Sequence, residues 1–345
     1  MKKLTAPLLL CAAGLLLLCP GVAREAILQG LQVCCRSILP ALFPFFVLTN
    51  LWISLGYGEK LSRLAAPLMV RVFHLPGAAA PAMVLGAVGG YPVGAQTIAQ
   101  LFRDGSLSRQ EAEAALRFCN NAGPAFLFGI VGGGLFQSAA IGAALWVIHL
   151  ASAWLLGILF RPAQIPAASL SGTAESQAGP LPPAVTAAIA KAGDTALRVC
   201  VFVLFFSVAS SYLAFLLPSG RPWTVYLLGS LELAGGISRL AETGLTAQAK
   251  FIASAALLGW GGLCIHCQSL AALSGSGLPA RSYLSGKALH ALVSGAGACL
   301  ACPFLPLETA CFGSGLAFQF PLWLPILCLV AVAKSSSGKA AGNRL

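Results

Sequence analysis

Charge is what this sequence has least of. Asp, Glu, Lys and Arg make up 9% of its 345 residues and hydrophobic side chains 58%, with a mean hydropathy of +0.85. A soluble domain carries about 25% charged residues, so a soluble globular fold is excluded and the chain reads as a polytopic membrane protein. Acids are the scarcer half, 10 against 21 basic residues, for a net charge of +11. The basic residues sit between apolar runs, where they mark cytoplasmic loops. No basic-aromatic array is present, so nucleic acid is not expected as a partner. Catalytic signatures are missing as well: there is no H-E-x-x-H, no G-x-S-x-G and no Walker loop, and Ser and His are too dispersed for a triad. Neither an enzyme nor a resident cofactor or metal is expected.

Cysteine, by contrast, is plentiful at 12 residues. Most stand in apolar surroundings, as Cys11, Cys19, Cys200, Cys311 and Cys328 do, where a thiol behaves as a small hydrophobe. Two C-x-x-C pairs, Cys264/Cys267 and Cys299/Cys302, fall in apolar segments without the polar turns of a zinc knuckle. They read as free thiols. The start, Met1-Lys-Lys before apolar residues 8–19, has the outline of a signal peptide. Without a clean small-x-small site, beyond Gly21-Val-Ala23, it is expected to be a retained first helix.

A bilayer crossing needs about 20 apolar residues. On that measure spans are expected over 4–19, 37–56 (which contains Pro40, Pro44 and Asn50), 139–160, 199–217, 288–304 and 316–333, with an amphipathic interfacial segment over 59–75. Other segments are broken. Residues 77–103 contain Gly89-Gly90-Tyr91-Pro92, and a straight crossing would put Arg103 and Arg109 outside, so a re-entrant hairpin is expected. Ser108 and Glu111 form a capping box opening a helix through Cys119. Cys119-Asn120-Asn121-Ala122-Gly123-Pro124 then interrupts that crossing before apolar residues 125–136. Residues 161–185, rich in Pro, Ser, Ala and Gly, read as a cytoplasmic linker.

The stretch after the linker echoes the one before it. Residues 228–236 (LGSLELAGG) match 85–90 (LGAVGG), 240–246 match 101–108, and Gly259-Trp-Gly-Gly262 takes the place of the 119–123 break. The expected fold is therefore an all-α polytopic membrane protein. It has about eight transmembrane helices plus two re-entrant hairpins in an inverted-topology repeat, with both termini and the linker cytoplasmic. The units are an N-terminal helix (1–23), a first repeat (24–160), the linker (161–185), a second repeat (186–304) and a final helix with a basic tail (305–345). Asp194 and Arg198, four apart, are expected to pair near the inner surface.

Matching breaks in two opposed halves point to a solute site at mid-membrane. A half-helix N-terminus carries about half a positive charge and free N–H groups, which suits an anion. Gly89, Gly90 and Gly94 allow close backbone approach, Tyr91 offers a ring and a hydroxyl, and Pro92 suits the start of a renewed helix. Asn120 and Asn121 can line the site or cap broken ends. Glu232, an ionisable group in an apolar run beside Gly235 and Gly236, can bind a cation or a proton that drives transport, or be solvated. His266 and Gln268 follow the Gly261-Gly262 break. His149 and His290 lack such a context and read as core.

The stretches GGYPVGA (89–95), CNNAGP (119–124) and GWGGLCIHCQ (259–268) resemble the YlbJ family of sporulation integral membrane proteins, within the nucleoside-recognition (Gate) group. The likeness extends over residues 32–304; the two cysteines of the third stretch depart from the expected pattern. This resemblance implies a fold similar to parts of concentrative nucleoside transporters. It also implies, for the sporulation members, movement of dipicolinic acid out of the mother cell across the outer forespore membrane. Dipicolinate, a small planar organic anion, is thus the expected partner beside the lipid bilayer. A nucleoside or related solute, or a non-transporting scaffold, are the alternatives, and a coupling ion is left open.

Overall fold

The computed structural model describes residues 2–163, 180–218 and 221–307, all helix and connecting turns with no strand among them. Helix α1 (Lys2–Leu18) leads into α2, a continuous 35-residue helix over Pro20–Ser54. On apolar length alone this span is expected only from residue 37. The helix starts earlier because Arg24, Glu25, Gln29, Gln32 and Arg36 all face outward while Ala26, Gly30, Cys34 and Ser37 form a buried stripe. Pro40 would break a plain α-helix. A π turn over Cys34–Ile38, closed by Leu39 N–H on the Cys34 carbonyl, re-spaces the ladder just before it.

Helix α3 (Tyr57–Phe73) is the amphipathic segment, and the chain bends by 103° into Gly77–Val88, whose α-helical part is α4 (Ala80–Val88). After the break at residues 89–92 comes α5 (Val93–Arg103). The short α6 (Arg109–Leu116) opens on the expected capping box: Glu111 N–H donates to Ser108 Oγ at 3.3 Å, and Ser108 N–H to Glu111 Oε2 at 2.7 Å. The second break leads to a π-helical segment, α7 (Ala125–Leu135), and then to α8 (Ala139–Leu159).

The linker ends earlier than expected, since α9 runs over Leu181–Leu216, 36 residues. Ala184, Ala188, Ala192 and Ala196 make a buried stripe of small residues every four positions, so the packed face of α9 already begins at Ala184, within the expected linker. At the other side α2 meets α9 through Gly30, where a Cβ would stand 2.9 Å from the Leu204 side chain. Asp194 and Arg198 form no ion pair; both are exposed on α9. Then follow α10 (Pro222–Leu231), α11 (Leu233–Ala241), α12 (Ala247–Trp260), α13 (Gly262–Leu273) and α14 (Ala280–Ala301). Helix α14 starts eight residues before the span expected at 288, and so takes in Lys287.

Five helices among the described residues are long and apolar enough to cross a membrane: Pro20–Ser54, Ala139–Leu159, Leu181–Leu216, Ala247–Leu273 and Ala280–Phe304. Counting the bent pair as one span gives up to six. The expected span over 316–333 lies outside the described residues, as does most of the linker.

Candidate functional site

Glycine contacts build both hairpins. In the first, α4 and α5 meet at Gly86 and Gly94, four residues either side of Gly90. A Cβ on Gly86 would lie 3.0 Å from the Gly94 Cα. Gly90 turns the chain with φ +78, and the Tyr91–Pro92 peptide is cis. In the second, α10 and α11 are so close that a Cβ on Gly236 would stand 2.1 Å from the Gly229 Cα, with the turn at Glu232. Each hairpin seats on the broken helix that follows it in sequence. Gly90 packs on Gly123, a Cβ on the former falling 3.0 Å from the latter's nitrogen, and Gly262 packs on the Leu231 carbonyl at 3.3 Å by the same measure. The first hairpin is enclosed: Ala79, Ala80, Ala82, Ala95, Ile98 and Ala99 are fully buried. Irregular backbone at membrane depth requires such enclosure.

The broken ends find partners in side chains. Asn120 Oδ1 accepts from Ala95 N–H at 3.2 Å, one of the first-turn donors of α5 that a helix cannot satisfy itself. Its Nδ2 donates to Ser269 Oγ at 2.9 Å and lies 3.4 Å from the Tyr283 hydroxyl. His149 Nε2 accepts from Ala122 N–H at 3.0 Å. Tyr91 OH donates at 2.9 Å to the Leu258 carbonyl, near the end of α12 where Gly261 and Gly262 turn with φ +90 and +85. The two breaks therefore touch: the Tyr91 ring lies 3.6 Å from where a Gly261 Cβ would be. At the second hairpin Glu232 caps its own half-helix, accepting from Ala234 N–H at 2.9 Å and from Gly235 N–H at 2.5 Å.

Helix α14 completes this buried network with Tyr283, Lys287 and His290, three residues on one helical face. Lys287 Nζ donates to the Tyr91 hydroxyl (3.1 Å), the Asn120 carbonyl (3.2 Å) and His290 Nδ1 (3.0 Å). With Nδ1 accepting, His290 carries its proton on Nε2 and donates to the His149 carbonyl at 2.9 Å. His266 Nδ1 lies 3.1 Å from the Tyr283 hydroxyl. Three buried polar atoms here have no partner: Asn121 Oδ1, His149 Nδ1 and His266 Nε2.

Beside this network lies a cavity of about 670 Å³. Three helices give it one stripe each: Phe46, Thr49, Asn50 and Ile53 of α2; Val93, Gln96, Thr97 and Gln100 of α5; Lys191, Asp194, Thr195, Arg198, Val199 and Phe202 of α9. Pro92 and Gln268 contribute at the first hairpin's turn and on α13. Along α5 the lining continues to Arg103 and Asp104, so the cavity follows the half-helix from its start to its charged end, about 16 Å at 1.5 Å per residue. Glu59 also lines it but is already paired with Arg63.

The structure thus divides the residues expected at one site. Pro92 and Gln268 line the cavity. Tyr91, Asn120 and His266 join the buried network, and Asn121 is turned to the Phe118 carbonyl at 2.8 Å. Gly89, Gly90, Gly94, Gly235, Gly236, Gly261 and Gly262 form the turns and contacts of the hairpins and breaks. Glu232 serves as a helix cap. His149 and His290 are buried as expected, their rings tilted by 40° with centroids 4.4 Å apart, but they belong to the network rather than to inert core. Lys287, Tyr283 and Ser269 were missed. For Lys287 the sequence does carry a signal, an ionisable residue within an apolar helix, but it stands one residue outside the span expected from 288.

The nucleoside-recognition (Gate) family model matches residues 35–223, more than half of the chain. The sporulation integral membrane protein YlbJ of Bacillus subtilis (strain 168) is 26% identical over 308 residues, covering 79% of this chain and 75% of its own length. No solved structure matches the chain. The family match, the related membrane protein and the long apolar helices agree: this chain is a multi-pass integral membrane protein belonging to the nucleoside-recognition (Gate) family.

Proposed function

We propose that the chain is a secondary transporter of a small organic anion, dipicolinate in our reading, working by alternating access around its two hairpins. The observation that carries this is the cavity of about 670 Å³ that runs along α5 to the first hairpin's turn. Small-ligand pockets occupy about 300–1,000 Å³, and broken helices in membranes belong where they border such a space. Its lining suits a planar dicarboxylate. Arg103, Lys191 and Arg198 supply positive charge against Asp104 and Asp194, with Glu59 neutralised by Arg63. Gln96, Thr97 and Gln268 supply hydrogen bonds, and Phe46 and Phe202 supply flat apolar walls. Tyr91, Asn120 and His266, sealed beneath, hold the broken segments together while the cavity is open. The relative's name associates that protein with sporulation. By that likeness this chain exports its solute from the mother cell during spore formation.

A nucleoside is the second reading, favoured by the family's description. The test is uptake of labelled dipicolinate and of labelled nucleoside into vesicles holding the purified full-length protein. Dipicolinate is expected to enter faster than into empty vesicles. Gln96→Trp, which fills the cavity from a partly exposed position, is expected to abolish that flux while insertion and melting temperature stay unchanged. Nucleoside flux alone selects the second reading. No flux of either solute leaves a membrane scaffold.

A further inference from the structure

The transport reading leaves Lys287 without a task. Its side chain is 1% exposed, and its three N–H bonds go one each to the Tyr91 hydroxyl, the Asn120 carbonyl and His290 Nδ1. The ammonium also stands 5.0 Å from the centre of the Tyr91 ring. No carboxylate is among these partners, and among the described residues Lys287 makes no ion pair. A buried charge is ordinarily paired, because desolvation is costly.

The titratable groups on the surrounding helices do not supply the missing counter-charge. Helix α8 brings His149, whose ring lies 4.4 Å from that of His290. Helix α13 brings His266, joined to Tyr283. Helix α12 brings Lys250, whose Nζ donates to the Ala241 carbonyl at 2.9 Å. Helix α6 brings Glu113, whose carboxylate accepts from Ser282 at 3.0 Å and lies 3.9 Å from Arg109. Arg117 follows α6 and packs its backbone on Gly286.

A single buried lysine thus ties the first hairpin, the first break and α14 together through three donors and no carboxylate. We infer that Lys287 is the proton-coupling site of the transport cycle, an inference that rests on the transport reading above. When protonated, its three donors lock Tyr91 and Asn120 to α14. When the proton passes to water admitted as the hairpin opens, the neutral amine keeps two N–H bonds and a lone pair. One of the three acceptors then loses its donor, and the junction between the broken segments loosens. Water on the opposite side returns the proton. Lysine can exchange its proton in this way and arginine cannot.

The experiment uses the full-length protein in vesicles and reads labelled dipicolinate in two modes: accumulation driven by an imposed pH gradient, and exchange at equal pH. The wild type is expected to respond to the gradient. Lys287→Met and Lys287→Arg are expected to keep exchange and lose that response; accumulation by either variant at the wild-type level overturns the inference. A second arm needs no solute. Cys119 is buried against the first hairpin and Cys35 is exposed, so their relative maleimide labelling, read by mass spectrometry from neutral to alkaline pH, reports the junction. The ratio is expected to change with pH in the wild type more than in either variant, and identical responses in all three overturn the inference. A wild type that moves neither solute sinks the transport reading, and the labelling arm still decides the role of Lys287.

Discussion

A single methyl group decides whether the first hairpin can seat. Cβ atoms added at Gly86 and Gly94 would fall 1.8 and 2.0 Å from the Cys119 carbonyl oxygen, which is backbone and cannot swing aside. Overpacking a core costs about 1–3 kcal/mol where side chains can adjust, so Gly86→Ala and Gly94→Ala are expected to reach at least the upper end of that range. Gly129→Ala, with nothing within 4 Å, is expected to leave stability unchanged. Melting of the three detergent-solubilised variants checks the contrast. Tyr91→Phe removes a hydroxyl that both accepts from Lys287 and donates to Leu258. Leaving buried groups unpaired in this way costs about 1–3 kcal/mol, read in the same melts. The sequence marked Tyr91 through its place beside two glycines. It gave no sign that the hydroxyl would bond to a carbonyl 167 positions away.

At the scale of elements, the two hairpins solve one problem differently. The first half-helix, α5, has a donor satisfied from outside by Asn120; the second, α11, is capped by its own Glu232. Glu232→Ala is expected to fray α11 at a cost of about 1 kcal/mol, an ordinary N-cap loss. Glu232→Gln keeps a capping oxygen and is expected to be milder. Hydrogen exchange over 233–241 measures both. The local cap at Ser108 and Glu111 was legible because its partners are three residues apart. The first half of α2 was not, because its polar residues lie outside the apolar run expected from residue 37, and only the packing on α9 shows one face exposed and the other buried.

For the whole molecule, the positive-inside rule predicts which end of the cavity opens to the cytoplasm. The rule assigns Arg103, Lys191 and Arg198 to that side, so a cysteine introduced by Thr195→Cys is expected to react with a membrane-impermeant thiol reagent in inside-out vesicles and to be protected in right-side-out ones. Equal labelling in the two preparations contradicts the orientation. Peptide-level mass spectrometry separates this site from the native thiols.

Composition and hydropathy determined by themselves that the chain lives in a membrane as helices, because apolar length and scarce charge leave no soluble alternative. Glycine and proline likewise marked the breaks at residues 89–92, 123–124 and 261–262, since those residues act on the backbone locally; they did not mark the turn at Glu232, and Pro40 lies within a continuous helix. Which groups the breaks meet was decided only by tertiary structure. Asn120, Tyr91 and Lys287 lie on separate segments, and no periodicity in one segment records the partner that another brings to it. The cavity has the same origin: it is bounded by stripes of three helices whose relative packing is a property of the folded chain.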